Sequence, residues 1–447
     1  MRVRRFIGLV FVGLFSMVGA TGAQTESAEP PVGTYNCAED LSGETFTFYH
    51  FGDLSNIYSF VTSSSRQGFE DGIAYFNQQG GICGASIREE VRDTRASQEA
   101  AQNAWDEFGA RDDAHVVVLY LTEDAELVRN QAAEEERPIV VATGSVSSLY
   151  GDSGDEAGWV FSATPLYEDQ FGAFCDFIAE RWDSFGIPGE PVIGHVSWGI
   201  AFGPYSDTDA TRAYCASKGV GYAGAKYYLP GTPDLSNFVQ QVLDEGANIL
   251  YTTSVSDGPA RLASTARALD LKIGEEVLIA GPNWALDASV IQLAGEAGEG
   301  LLGQLPYVWW DELDDPGIQA MTTFWAQTRL NGAEDPVDAL GSRGVGYLVA
   351  FSAVDVYRQL MIDTVNRVGF ENLSGKEVYN SLISGQAYSG LGGVLTLQYD
   401  AQRRSPNRTR IGQIQLLERD GGLAPTIIPL TDWRFMPDLR PNGTDAP

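Results

Sequence analysis

Gly68-Phe69-Glu70-Asp71-Gly72-Ile73-Ala74-Tyr75-Phe76-Asn77-Gln78-Gln79-Gly80-Gly81-Ile82-Cys83-Gly84, continued by Ser86-Ile87-Arg88-Glu89-Glu90-Val91-Arg92-Asp93, is the stretch on which the fold turns. Phe69, Ile73 and Phe76 stand at i, i+4 and i+7 and share one face of a helix. Gly80-Gly81 ends that helix, because glycine takes the left-handed conformation without a Cβ penalty. Ile87 and Val91 alternate with charged residues, as in a strand with one wet face. Ala100, Ala101, Ala104, Trp105 and Phe108 open the next helical face. Helix, glycine stop, edge strand and helix form a segment of an α/β array.

Outward from there the pattern continues in both directions. Thr45–Phe51 reads as a first strand, and Thr62-Ser63-Ser64-Ser65 as the cap of the helix after it. His115–Leu121 is an almost unbroken apolar run, the mark of a central parallel strand. Pro138–Ala142 and Trp159–Ala163 read as further buried strands. A second alternating series follows, with strands at Val192–Val196, Tyr222–Tyr228, Ile249–Thr253 and Val277–Ala280 between helices. Two successive βαβ series predict an α/β chain of two doubly wound lobes. Each opens on a strand that runs into a polar aromatic loop, at Phe48–Asp53 and at Ile193–Trp198. Gly300–Tyr307 reads as strand-like, Pro316–Asn331, Gly344–Val368 and Ser374–Ser384 as helices, and Val394–Gln398 and Ile411–Glu418 as late strands.

The 447 residues suffice for two or three domains, and 60 acidic against 29 basic residues give a net charge of −31. That charge argues against nucleic acid or an anionic membrane surface as a partner. Arg2, Arg4 and Arg5 precede an apolar run from Phe6 to Val18 and the small residues Ala20-Thr21-Gly22-Ala23, which reads as a signal peptide over residues 1–23. A periplasmic or secreted protein, soluble once that segment is removed, is expected. Four cysteines in an exported chain imply two disulfides, for which three connectivities exist. Cys37 and Cys83 precede neighbouring strands, and Cys175 and Cys215 lie on helices flanking one strand, which favours Cys37–Cys83 and Cys175–Cys215.

Asn77-Gln78-Gln79-Gly80-Gly81-Ile82-Cys83-Gly84 resembles the N-x-x-G-G-(I/V)-x-G turn of type I periplasmic solute-binding proteins of ABC transporters, in the leucine/isoleucine/valine-binding branch. Asp93-Thr94 followed by Ala100-Ala101 resembles that family's D-(D/T)-x6-A pattern, and the order of elements fits from about Glu44 to Gly421. The resemblance implies a Venus-flytrap of two lobes joined by three crossings, near Thr164, Gly300 and Leu397. Lobe 1 would comprise residues 44–164 and 300–396, and lobe 2 residues 165–299 and 397–436. Residues 24–43 would form an N-terminal extension and 437–447 a loose tail.

In an open α/β sheet, ligands sit beyond the carboxyl ends of the strands. That rule selects the loops Asp53–Ser65, Thr122-Glu123, Thr143–Tyr150, Trp198–Tyr205 and Gly281–Asp287. Thr122 would cap a helix whose start suits a carboxylate, beside the hydroxyls of Ser145 and Ser147. The resemblance makes these three the leading contacts for a ligand carboxylate; capping and turn formation are their plain structural roles. Tyr58, Phe60, Phe202, Trp284 and Tyr307 add aromatic surface for an apolar or flat ligand, or a cation held over rings. Tyr58 and Phe202 match positions that flank the ligand in that family. Where amino-acid binders of the family carry an acid for the ammonium, this chain has Asn283; Asp257 could take that role or serve as a helix N-cap.

No nucleophile elbow or zinc-protease motif is present in the sequence. His50 and His195 end equivalent strands, too sparse a pair for a metal site. The sequence thus predicts a monomeric, non-enzymatic solute-binding protein without a cofactor. It would capture a small organic ligand, amino acid-like or a carboxylate or aromatic compound, and deliver it to an ABC permease. A ligand-sensing subunit of the amide or urea type and a secreted hydrolase are the alternatives.

Overall fold

A computed structural model describes residues 35–445 apart from 201, 334, 420 and 421. The signal peptide and most of the N-terminal extension lie outside the described residues. The first lobe opens with β1 (Thr45–Gly52), α1 (Ser59–Gln78), β2 (Ser86–Asp93), α2 (Gln98–Gly109), β3 (Val117–Leu119), α3 (Thr122–Glu134), β4 (Ile139–Thr143), α4 (Val146–Tyr150) and β5 (Val160–Thr164). The second follows with α5 (Tyr167–Phe185), β6 (Val192–Trp198), α6 (Asp209–Ser217), β7 (Gly221–Tyr228), α7 (Ser236–Asp244), β8 (Ile249–Tyr251), α8 (Asp257–Ala268), β9 (Leu278–Ala280), α9 (Ala288–Ala294) and β10 (Leu302–Gln304). The chain then returns to the first lobe through α10 (Pro316–Trp325), α11 (Pro336–Gly341), α12 (Val345–Val368), α13 (Gly375–Leu382), β11 (Ala387–Gly390) and β12 (Leu395–Gln398). It ends with β13 (Arg408–Thr409), β14 (Ile411–Arg419), β15 (Gly422–Pro429) and β16 (Arg434–Phe435).

The first sheet runs β2-β1-β3-β4-β5, all parallel. In the second, β7-β6-β8-β9-β10 repeats that order and is likewise parallel, and antiparallel β14 and β15 extend it. The two lobes are therefore one doubly wound plan used twice, each with its switch point beside the first strand of the series. Leu302 pairs with Ala280 of β9, and β10 also pairs with β14. The second crossing consequently falls after β10 rather than near Gly300, because Leu302–Gln304 completes the second sheet.

The opening stretch works as a packing device. An added Cβ at Gly68 would stand 2.5 Å from the Tyr347 carbonyl oxygen, and one at Gly72 2.9 Å from Val354. Those glycines let α1 and the buried helix α12 approach closely. Between them, Asp71 accepts hydrogen bonds from Tyr347 (2.6 Å), Thr328 (2.9 Å) and Arg329 (2.8 Å). Gly81, at φ +57°, closes the turn so tightly that a Cβ would lie 1.9 Å from the Ala85 carbonyl oxygen. Both disulfides are present, Cys37–Cys83 beside the β1–β2 pair and Cys175–Cys215 between α5 and α6.

Three expectations need correction. Thr62–Ser65 do not cap α1, which starts earlier, at Ser59. Asp53 forms the stop instead: its carboxylate accepts from the N–H groups of Ser55, Asn56 and Tyr58, while Thr62 donates back to its carbonyl. The residues from 437 do not form a loose tail as far as they are described. Leu439 is buried, its N–H donates to Asp169 (2.9 Å), and Arg440 donates to Gln402 (2.7 Å). Finally, β15 was not foreseen. Pro425 and Pro429 hide it in the sequence, yet β15 is an edge strand, where proline is tolerated.

Candidate functional site

The carboxyl ends of β1, β3 and β4 face those of β8 and β9 and the loop after β6 across the two lobes. Between them lies a cavity of about 50 Å³. The first lobe contributes Tyr58 from the β1–α1 loop, Thr122 and Glu123 from the start of α3, and Thr143 from the end of β4. The second contributes Tyr167, Phe202 and Trp284. Tyr167 stacks on Phe202 with centroids 5.3 Å apart, and the Tyr58 ring lies 6.5 Å from Phe202. A second cavity, of about 60 Å³, continues into the first lobe between the sheet, α1 and α12. It is lined almost wholly by apolar side chains and shares Ser65, Tyr120, Ala142 and Trp284 as walls with the first.

Most hydrogen-bonding groups at the cleft are already engaged. Trp284 donates its indole N–H to Thr143 Oγ1 across the lobes (3.1 Å). Thr122 donates to the Thr143 carbonyl (2.8 Å), so its hydroxyl ties α3 to β4; Leu121 is the N-cap of that helix, and Thr122 is not. Ser145 and Ser147 do not reach the cavity as ligand donors. Both donate to Glu126 Oε1 (2.5 and 2.6 Å), and Tyr205 of the other lobe donates to the same oxygen (2.9 Å). Ser145 also caps α4 by accepting from the Ser148 N–H. A carboxylate of the chain thus stands where the sequence reading placed that of a ligand.

The remaining expected residues are deployed elsewhere. Asn283 makes a reciprocal pair with Gln170: its N–H donates to Oε1 (2.8 Å) and its Oδ1 accepts from Nε2 (3.1 Å). Tyr307 is buried beneath it and donates to its carbonyl. Asp257 follows the N-cap Ser256 and is paired at i,i+4 with Arg261, outside the cavity lining. Phe60 is 44% exposed on the outer side of α1. His50 is buried, hydrogen-bonded to Tyr120 and Glu89, and His195 sits among Phe171, Tyr222 and Tyr251, so the two share no site. No metal-ligating cluster of three or more His, Cys, Asp or Glu residues occurs among the described residues.

Glu123 and Tyr167 are the residues the sequence reading underweighted. Tyr167 stands three positions after the end of β5, so the carboxyl-end rule could have found it. Tyr58 donates to Glu123 Oε1 (3.0 Å). Burial, with Glu126 nearby, raises the Glu123 carboxyl above its ordinary range, against bonds from its own backbone N–H and from Tyr58. No Lys, Arg or His lines this cavity among the described residues.

Similarity to known proteins agrees with this arrangement. The chain superposes on a branched-chain amino acid ABC transporter protein from Thermus thermophilus with bound valine, at 18% identity and TM-score 0.72, covering 88% of this chain and 98% of that one. A fatty acid ABC transporter substrate-binding protein from Thermomonospora curvata matches at 16% identity and TM-score 0.68, over 88% and 94% of the two chains. A solute-binding protein from R. palustris in complex with 4-hydroxybenzoate matches at 15% identity and TM-score 0.67, over 86% and 96%. These likenesses establish the fold. A comparison with curated proteins gives no significant match. A family model described as periplasmic binding protein matches residues 50–420, and with that span and the repeated doubly wound lobes the chain belongs to the type I periplasmic binding proteins.

Proposed function

We propose that this protein captures a small organic solute between its lobes outside the cytoplasm and presents it to an ABC-type permease. The observation that carries this reading is the cavity walled by both lobes at the carboxyl ends of both sheets. The aromatic walls, Tyr58, Phe202 and Trp284, suit an apolar or aromatic body, and the adjoining apolar cavity could receive an extension of it. The related proteins of known structure are named for solutes as different as valine, 4-hydroxybenzoate and fatty acid, so the solute must be read from this chain's own side chains. The protein acts as a monomeric carrier after removal of its signal peptide and performs no turnover.

The test is to purify the chain from its native envelope fraction, release bound material by denaturation and identify it by mass spectrometry. Recovery of one small solute in near-stoichiometric amount, unchanged after prolonged incubation, is the expected result. A solute converted to product on incubation would make the cleft an active site instead.

A further inference from the structure

The cleft is unusual in what it has left to offer. The donors assigned to a ligand carboxylate are spent on the protein's own acceptors: Thr122 on the Thr143 carbonyl, Ser145 and Ser147 on Glu126. Trp284 is spent on Thr143, and Glu123 takes up its own N–H at the start of α3. What remains is one carboxylate, Glu123, and aromatic surface from Tyr58, Tyr167, Phe202 and Trp284. No basic side chain lines the cavity among the described residues. An entering anion would meet Glu123, with Glu126 behind it, and no basic side chain to balance its charge. An entering cation would meet a counter-ion and ring quadrupoles in a desolvated setting, where such contacts are strongest.

Resting on the solute-binding reading above, we propose that the site takes a small organic cation, a methylated ammonium head seated against Tyr58, Phe202 and Trp284, with Glu123 as its counter-ion. A methylated head fits better than a primary ammonium. The latter brings three N–H donors, and Glu123 is the single carboxylate on the cavity wall. The polarity is the reverse of the expectation drawn from the sequence, where α3 was to hold a ligand carboxylate.

Burial, with Glu126 nearby, raises the affinity of Glu123 for protons in the free site, and a cation seated against it would oppose that rise. The groups facing Glu123 are Tyr58 before α1, Asp124 and Glu126 on its own helix, and Tyr167 and Tyr205 from the second lobe; Asp53, after β1, faces Tyr58 and Asp124. Among them, Glu123 is the acid on the cavity wall.

The experiment is calorimetry on the mature chain with choline, its uncharged carbon isostere 3,3-dimethylbutan-1-ol, and benzoate. Choline should bind at least tenfold more tightly than the isostere and lose at least tenfold in Glu123→Gln. Asp257→Asn, on the half-buried pair with Arg261 outside the cavity lining, should leave choline binding as it was. Equal binding of choline and the isostere would overturn the cation assignment. Tighter binding of benzoate, strengthened by Glu123→Gln, would overturn it too. If the solute recovered by mass spectrometry closes the lobes while choline does not bind, the cation assignment fails and the solute-binding reading stands. If no recovered solute closes them, both fail.

Discussion

Glu126 shows why the cleft was only partly legible. It stands one helical turn after Thr122, and nothing in the spacing of Ser145 and Ser147 announces that their hydroxyls end on it. Thr122, Tyr58, Phe202 and Trp284 were legible because strand ends alone place them at the cleft. The destination of a hydroxyl is a tertiary choice between protein and ligand, and the sequence carries both. The same carboxylate receives Tyr205 from the other lobe, a charge-assisted bond that exists only when the lobes are together. Tyr205→Phe should therefore leave each lobe folded and weaken closure. Loss of a bond to a charged group is worth roughly 1.5–3 kcal/mol, and partial exposure of the pair brings the expected loss of affinity down to about three- to tenfold. Calorimetry with the recovered solute checks this, and an unchanged affinity would show that water replaces the phenol at no cost. Asp124 makes a second prediction. It is buried, one of its carboxylate oxygens has no partner, and burial, with Glu123 and Asp53 nearby, pushes its carboxyl up to about 8. An acid whose affinity for protons is raised by folding destabilises the native state once it must ionise. The penalty is absent below the unfolded value near 4 and grows as pH rises toward 8. Asp124→Asn should raise the melting temperature at pH 8 and change it little at pH 4.5. An equal shift at both pH values would point to packing rather than charge.

The elements with a strong period were read with their type correct, and their ends moved for identifiable reasons. The run His115–Leu121 contracts to β3 (Val117–Leu119), because α3 begins at Thr122, with only two residues between it and the strand. The helix expected over Pro316–Asn331 continues beyond Trp325 as a π-helical segment, Ala326–Leu330, which brings Thr328 and Arg329 onto Asp71 of α1. That segment follows from a contact with a residue more than 250 positions away, which no local window contains. α12 is long and apolar enough to cross a membrane by composition, yet it is the buried partner of α1, and the glycines of α1 are the local trace of that packing. The disulfides belong to this level too. Cys37–Cys83 holds the chain entering β1 to the turn before β2, and closes a loop of 46 residues. Replacing both cysteines by serine should cost roughly 2–4 kcal/mol on the loop-entropy account. Urea denaturation of Cys37→Ser/Cys83→Ser against the parent checks it. No loss of stability would mean that the β1–β2 pairing and the contacts of Tyr35 with Asp355 already hold this end.

Two sheets with the same strand order, joined at three crossings, give a molecule whose least restrained motion is a hinge between lobes. Each lobe has an apolar cluster of its own and a larger one runs across both, while at the cleft the lobes are also linked by Trp284 to Thr143, Tyr205 to Glu126 and the rings around Phe202. Opening the hinge separates those links and part of the shared apolar cluster, and a ligand shifts the population only by its differential contacts with the closed form. A solute that touches both walls of the cavity binds the closed form preferentially and must therefore close the hinge. Small-angle scattering should show a smaller radius of gyration with the recovered solute than without it. The same solute should raise thermal stability, by about 2.7 kcal/mol at a hundredfold excess over Kd, because the unfolded chain has no cavity. The two effects separate the alternatives. Stabilisation without contraction would mean that the solute occupies a cleft already closed by its own side chains, with Glu126 and Tyr205 holding it shut. In that case Tyr205→Phe should restore the contraction, since it removes the link that closes the unliganded molecule.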